Sequence, residues 1–517
     1  MTAHTRRSFL KAAGATSLGL GGLQPFLALS PATAQEAKVT PELVRFSDDV
    51  EPLIRLIENT PREKCVEMLV GKLRDGVSYR QFMAALFLAG LRNFKPSSGG
   101  MHAVYVIHSA HQLSLDGRHE ERLLPLFFAL DSFKRYSESY AKQKLPRPEE
   151  RLQPLRGVLP AAEKAWDELH AAMDDWDADR ADRAVVALVR SRSASEIADG
   201  LWPYGARDVR QIGHKAIFLA NAWRTLQTIG WQHAEVFLRA LMRSLTANGK
   251  NDFEKQPYLA NVERVRKAVP RLPGDWAGVQ SDPGPTKEIL ALLHDGHTAD
   301  ACQLAVTQLV EGKARAGSLW DAVHLTAGEL IMRESDTGNL GGVHAVTSTN
   351  ALHYAFRMCG RAETRLLILL QAVGSMGEFR NQMAPGLKDT SISRLTTLEI
   401  PRSEEAAAHE ILAAGAHKPR YADKIASIAG EAAPKAFRYA QKYSEPDAFF
   451  REARRLICLK SVEEHEYKYP AAIFEDYRLV DRQWRPHMLA AAVYYLSGSG
   501  QPDTPLMQRT REALGAK

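Results

Sequence analysis

A histidine heads an apolar helical segment in three widely separated stretches of this chain, each time closely preceded by glycine. The stretches are Gly99-Gly100-Met101-His102-Ala103-Val104, Gln211-Ile212-Gly213-His214-Lys215-Ala216 and Gly341-Gly342-Val343-His344-Ala345-Val346. In a fourth stretch, Glu464-His465-Glu466-Tyr467-Lys468-Tyr469, the same register falls on Lys468, with His465 one helical turn earlier. Glu121 and Glu363 each lie 19 residues beyond their histidine, and Glu235 lies 21 beyond His214. The two-residue difference falls where a helix–helix turn is expected. Spacings of 112, 130 and 124 residues between units are too loose for a short-repeat solenoid and point to duplication of a larger helical unit.

Upstream of the histidines the copies agree as well. Leu69-Val70-Gly71-Lys72-Leu73 and Phe82-Met83-Ala84-Ala85-Leu86 parallel Leu309-Val310-Glu311-Gly312-Lys313 and Ala322-Val323-His324-Leu325. Apolar residues recur with helical period, and alternating strand patterns are missing. The expected fold is all-α: about four internally repeated helical units packed around a central site. Turn-forming clusters punctuate the chain, and Gln280-Ser281-Asp282-Pro283-Gly284-Pro285 is the candidate division, near 280–286, within a domain over 35–517.

Residues 1–34 read as a twin-arginine signal peptide. Thr5-Arg6-Arg7-Ser8-Phe9-Leu10-Lys11 supplies the motif, Ala12 to Leu29 the apolar stretch, and Ala32-Thr33-Ala34 the cleavage site. The expectation is cleavage after Ala34 and a periplasmic or secreted product handled by the twin-arginine export machinery. That route carries folded proteins and so favours a cofactor inserted before export. Removing the segment takes away Arg6, Arg7 and Lys11 and no acid, lowering the formal charge from +6 to about +3. So small an excess excludes a nucleic-acid footprint. No second apolar run is long enough to anchor the mature chain in a bilayer. Cys65, Cys302, Cys359 and Cys458 stand apart, without Cys-x-x-Cys pairs, and are expected as buried thiols.

Seventeen histidines are too many for one centre. His102 and His111 are nine apart, as are His344 and His353. At about 100° per residue, each pair points to opposite faces of a helix. The members aligned with His214, namely His102 and His344, are expected at the centre, and His108 is a weaker substitute. His465 and Lys468, three apart, can face one site together. A single such histidine can equally be a core residue bonded to neighbouring carbonyls. His119, His233, His409 and His487 are assigned no ligand role. Neutral imidazoles suit Fe, Zn, Cu and Ni alike. A protonated lysine offers no lone pair, but burial lowers its pKa, and a neutral amine can add carbon dioxide to become an anionic carbamate. The alternative is that Lys468 pairs with Glu464 on an exposed helix face.

In these features the chain resembles the questin oxidase-like family: its size, its helical character, the recurrent Gly-x-His-Ala segments and the C-terminal His465-Glu466-Tyr467-Lys468. The resemblance is carried by short motifs between about residues 65 and 495. It implies oxygen-dependent chemistry on aromatic or quinone-like molecules at a mononuclear Fe(II) held by four histidines and a carboxylated lysine. Carried over, the ligands are His102, His214, His344, His465 and carboxylated Lys468, and the partners are an aromatic small molecule and dioxygen. The export signal and the lack of a double glycine before His214 depart from the family pattern. Tyr105, Trp223, Tyr354 and Tyr469 are expected to line an apolar pocket, or else to pack, and Glu121, Glu235 and Glu363 to orient imidazoles or pair with Arg122, Arg239 and Arg365. Two other readings stand beside the exported iron oxygenase. One is a zinc hydrolase, although no His-Glu-x-x-His or Gly-x-Ser-x-Gly occurs. The other is a helical-repeat interaction module that needs no metal.

Overall fold

The computed structural model describes residues 50–515, apart from 116, 118–120, 252, 335–339, 384–385 and 415–430. Segment 1–34, expected as a signal peptide, and His119 lie outside the described residues. The structure is 74% helical, and no strand occurs among the described residues, as the helical periodicity requires.

Twelve helices, labelled in chain order, build and surround the site. They group in threes: α1 Tyr79–Asn93, α2 His102–Leu115 and α3 Leu124–Lys142; α4 Ala194–Arg207, α5 His214–Ile229 and α6 Ala234–Thr246; α7 Ala316–Arg333, α8 Gly341–Met358 and α9 Ala362–Met383; α10 Asp447–Lys460, α11 His465–Leu479 and α12 Arg485–Ala492. Local chemistry fixes several starts. Ser78 with Gln81, and Ser193 with Glu196, form reciprocal capping boxes that open α1 and α4.

The middle helix of each group forms an inner ring: α2 packs on α5, α5 on α8, α8 on α11 and α11 on α2. Outer helices close a second ring around it through α1 against α6, α4 against α9, α7 against α12 and α10 against α3. The inner helices are therefore covered on every side. In α8 every residue except Arg357 is buried, which explains why its sequence is apolar or small all round rather than striped. Side-chain pairing shows that the inner helices run in one direction. Arg224 of α5 reaches His108 of α2 and Asn350 of α8, and Asn350 in turn donates to Asp476 of α11. These residues lie six to eleven positions beyond His102, His214, His344 and His465, so all four helices begin at one level.

The Pro283–Pro285 cluster is the first turn of a helix, Pro283–Asp295, capped by Asp282. The preceding backbone is pinned to the start of α7: Ala316 donates to the Trp276 carbonyl at 2.8 Å and the Asp282 amide to Ser318 Oγ at 2.8 Å.

Candidate metal centre

Two chain entries show how glycine brings the histidines in. Ile212 and Gly213 take positive φ angles of 47° and 76° just before His214. A Cβ at Gly213 would stand 2.5 Å from Ser348 Oγ, so glycine is needed both for the backbone turn and for the close approach of α5 to α8. At Gly342 a Cβ would stand 2.6 Å from Ile331 Cα, which explains the bare backbone two residues before His344.

The four imidazoles meet in cyclic order. Ring centroids lie 4.9 Å apart for His102–His214, 4.8 Å for His214–His344, 4.9 Å for His344–His465 and 4.8 Å for His465–His102. Candidate ligand atoms of His102, His214 and His465 all lie within 4.8 Å of one another, a cluster that can hold a metal ion. Lys468 Nζ stands 3.0 Å from His102 Nδ1. All five sequence-selected residues are thus gathered at one point. His111 and His353 turn away, as their nine-residue spacing requires: His111 meets Tyr79 Oη at 3.3 Å and His353 meets His324 at 2.8 Å.

The outer partners fix the tautomers. His344 Nδ1 donates to the Leu340 carbonyl at 2.7 Å, and His465 Nδ1 to Glu463 Oε2 at 2.7 Å. The Gln211 carbonyl engages the His214 ring. His344 and His465 therefore turn an unprotonated Nε2 inward, and His344 Nε2 lies 3.1 Å from His214 Nε2. Converging lone pairs repel unless a cation lies among them, so the donor set fits a metal. Burial holds all four imidazoles neutral, well below the usual histidine range.

Lys468 is equally unusual. Burial brings its ammonium down to about 8, against the opposing pull of Glu463 and Glu464. Two other buried lysines carry oxygen partners: Lys215 pairs with Asp208 at 2.6 Å, and Lys134 donates to the carbonyls of Ile57 and Glu58. Lys468 instead faces an imidazole. The exposed Lys468–Glu464 pair is not formed, because both residues are buried and the Glu464 carboxylate accepts from Ser132, Arg135 and Tyr136.

Other expectations are corrected. Glu235 does not orient His214 or pair with Arg239. It accepts from Arg190 at 3.0 and 3.1 Å, while Arg239 pairs with Asp182. Glu363 is exposed, 3.9 Å from Arg361. The carboxylate that does orient an imidazole is Glu463, two residues before His465, whose other oxygen accepts from Tyr495. Of the aromatic residues, only Tyr105 flanks the centre, 5.7 Å from His102 and 5.9 Å from His214 between ring centroids. Trp223 packs on Trp231, Tyr354 lies under Arg224, and Tyr469 donates to the Ala491 carbonyl. The four cysteines are buried and free, as expected, and burial raises their thiols out of the ligand range.

Comparison with protein-family models, with curated proteins and with solved structures returns no match.

Proposed function

We propose that this chain is an exported metal-dependent oxidoreductase, a mononuclear non-haem iron oxygenase acting on an aromatic or quinone-like small molecule. His102, His214, His344, His465 and carboxylated Lys468 are its ligands. The observation that carries the reading is the ring of four inward imidazoles with a buried, carboxylate-free amine beside it.

The electrostatics support an anionic fifth donor. Four parallel helices begin at the ring, and their N-terminal dipole ends favour negative charge there. Neutral imidazoles supply none. A carbamate on Lys468 supplies it, and the lowered ammonium pKa makes the amine available to carbon dioxide. Four imidazoles with an anionic fifth donor exceed the four-ligand set typical of structural zinc, and an iron held by them would supply the activation of dioxygen.

The chain's own residues prepare the site. Glu463 and the Leu340 carbonyl hold two imidazoles in the tautomer that presents Nε2. Surrounding helices bury three of the four imidazoles, with His214 partly exposed, and Tyr105 offers an aromatic face beside His102 and His214.

Plasma mass spectrometry of protein exported through its own N-terminal segment and purified without added metal tests this reading. Stoichiometric iron, followed by oxygen consumption with quinone-like substrates, is expected. Stoichiometric zinc would move the assignment to hydrolysis, and a metal-free protein that rebinds no metal would overturn the centre.

A further inference from the structure

A small polar cleft lies on the axis of the inner ring, immediately beneath Lys468. Every inner helix lines it, through His108 of α2, Asn221 and Arg224 of α5, Asn350 of α8, and Lys468 and Ala472 of α11. Its volume of about 10 Å³ is room for about one water and far too little for an organic substrate. Its polar lining also makes it a poor place for dioxygen or an aromatic ring.

His108 shows what the cleft needs. Arg224 Nη1 stands 3.4 Å from His108 Nε2. A guanidinium only donates, so Nε2 accepts, and the proton of the neutral ring sits on Nδ1. Burial, reinforced by the charge of Arg224, keeps that ring neutral. His108 Nδ1 is itself buried and meets no acceptor in the protein. A buried N–H with no protein acceptor, on a ring that lines polar space, calls for an oxygen ligand.

The polar layer continues outward. Arg224 donates to Asn350 Oδ1 at 2.9 Å, and both Arg224 and Asn350 donate to Glu475, whose side chain is 35% exposed. Three of the four ring histidines are buried and His214 is partly exposed; this layer is a further link from the ring to solvent.

We propose that the cleft is a built water site, in which a buried water accepts from His108 Nδ1 and joins Lys468 to the polar layer ending at Glu475. This is a polar path from Lys468 to solvent, separate from the partly exposed edge of the ring at His214. The water site stands on the cleft alone, and only its service to a metal rests on the oxygenase reading.

Two measurements test it. A high-resolution structure of the metal-free chain is expected to show ordered water within hydrogen-bond distance of His108 Nδ1. A dry cleft, or a protein acceptor turned onto Nδ1, overturns the site. In the full chain loaded with copper(II), the metal should speed relaxation of bulk water protons, and Ala472→Leu, which fills the cleft, should reduce that enhancement at unchanged copper content. His108→Phe, filling the same space from α2, is the second variant. Enhancement undiminished in both overturns the path. If no copper is retained, that failure falls on the metal centre, and the water at His108 still decides the inference.

Discussion

His214 and His344 direct their Nε2 atoms at each other across 3.1 Å, although 130 residues separate them. The outer nitrogen of His344 is committed to the Leu340 carbonyl, and Gln211 engages the His214 ring. The His344 lone pair is therefore held toward His214, where it can be met by a proton on His214 Nε2 or by a metal ion.

Replacing either member should therefore separate metal binding from folding. His214→Ala is expected to lose its metal while keeping the helical circular dichroism spectrum, and the metal-free variant should melt no earlier than the metal-free parent. Full metal content in the variant would remove His214 from the ligand set.

Glu463 should matter to the metal although it does not touch it. It accepts from His465 Nδ1, and Tyr495 holds its other oxygen at 3.0 Å. Losing such an outer partner typically weakens metal affinity about 10–100-fold. Glu463→Gln should show a loss in that range by competition with a chelator, and Tyr495→Phe a smaller one. Unchanged affinity in Glu463→Gln would mean that the imidazole is oriented by packing alone.

Much of this site was legible because it is written in helical periodicity. The all-α fold follows from apolar spacing, and the choice of His102 over His111 and of His344 over His353 follows from a nine-residue interval on a helix. The convergence of Lys468 and His465 follows from a three-residue one. What spacing does not encode is which side chain from another helix arrives alongside. Glu235 sits at the repeat position expected of an orienting carboxylate, but Arg190 of a separate helix, Ala178–Ser191, captures it. Glu463 precedes its histidine by only two residues and belongs to no repeat position. Arg224 carried no expectation from the sequence, because its partners His108, Asn350 and Glu475 come from three other helices.

Lys468 should be retained at a cost to stability. Burial lowers its ammonium from the usual lysine range to about 8, a penalty on the order of 1–3 kcal/mol near neutral pH. Lys468→Met keeps the stem and removes the charge, so the metal-free variant should gain stability of that order in urea unfolding while losing metal affinity. A less stable Lys468→Met would show that the amine is satisfied by a partner outside the ring.

Buried histidines held neutral should cost the metal-free chain stability as pH falls. Burial depresses His487 to about 4 and holds His108 and His353 well below the ordinary histidine value. The unfolded chain binds these protons at about 6.5 and the folded chain does not, so stability falls as pH drops below that value. For His487 the loss is spread between about 6.5 and about 4, at up to about 1.4 kcal/mol per pH unit. Urea midpoints at pH 7.5 and 5.5 should differ, with the lower midpoint at 5.5. Equal midpoints would mean that these rings take up protons without unfolding.

Gly213 joins the backbone turn to the ring through two separable requirements. Its φ of 76° places alanine in the left-handed region, at about 1–2 kcal/mol. Its added Cβ would also stand 2.5 Å from Ser348 Oγ and 2.7 Å from Ser348 Cβ. Gly213→Ala should therefore lose more stability than the backbone term alone and displace α5, with His214 at its first position, from α8. Ser348→Gly removes the atoms in the way, so combining the two should recover the steric part and leave the backbone part. A double-mutant cycle on thermal unfolding reads that coupling directly. Strict additivity would show that α5 and α8 can separate freely, and that the 3.1 Å approach of His214 to His344 is not enforced from Gly213.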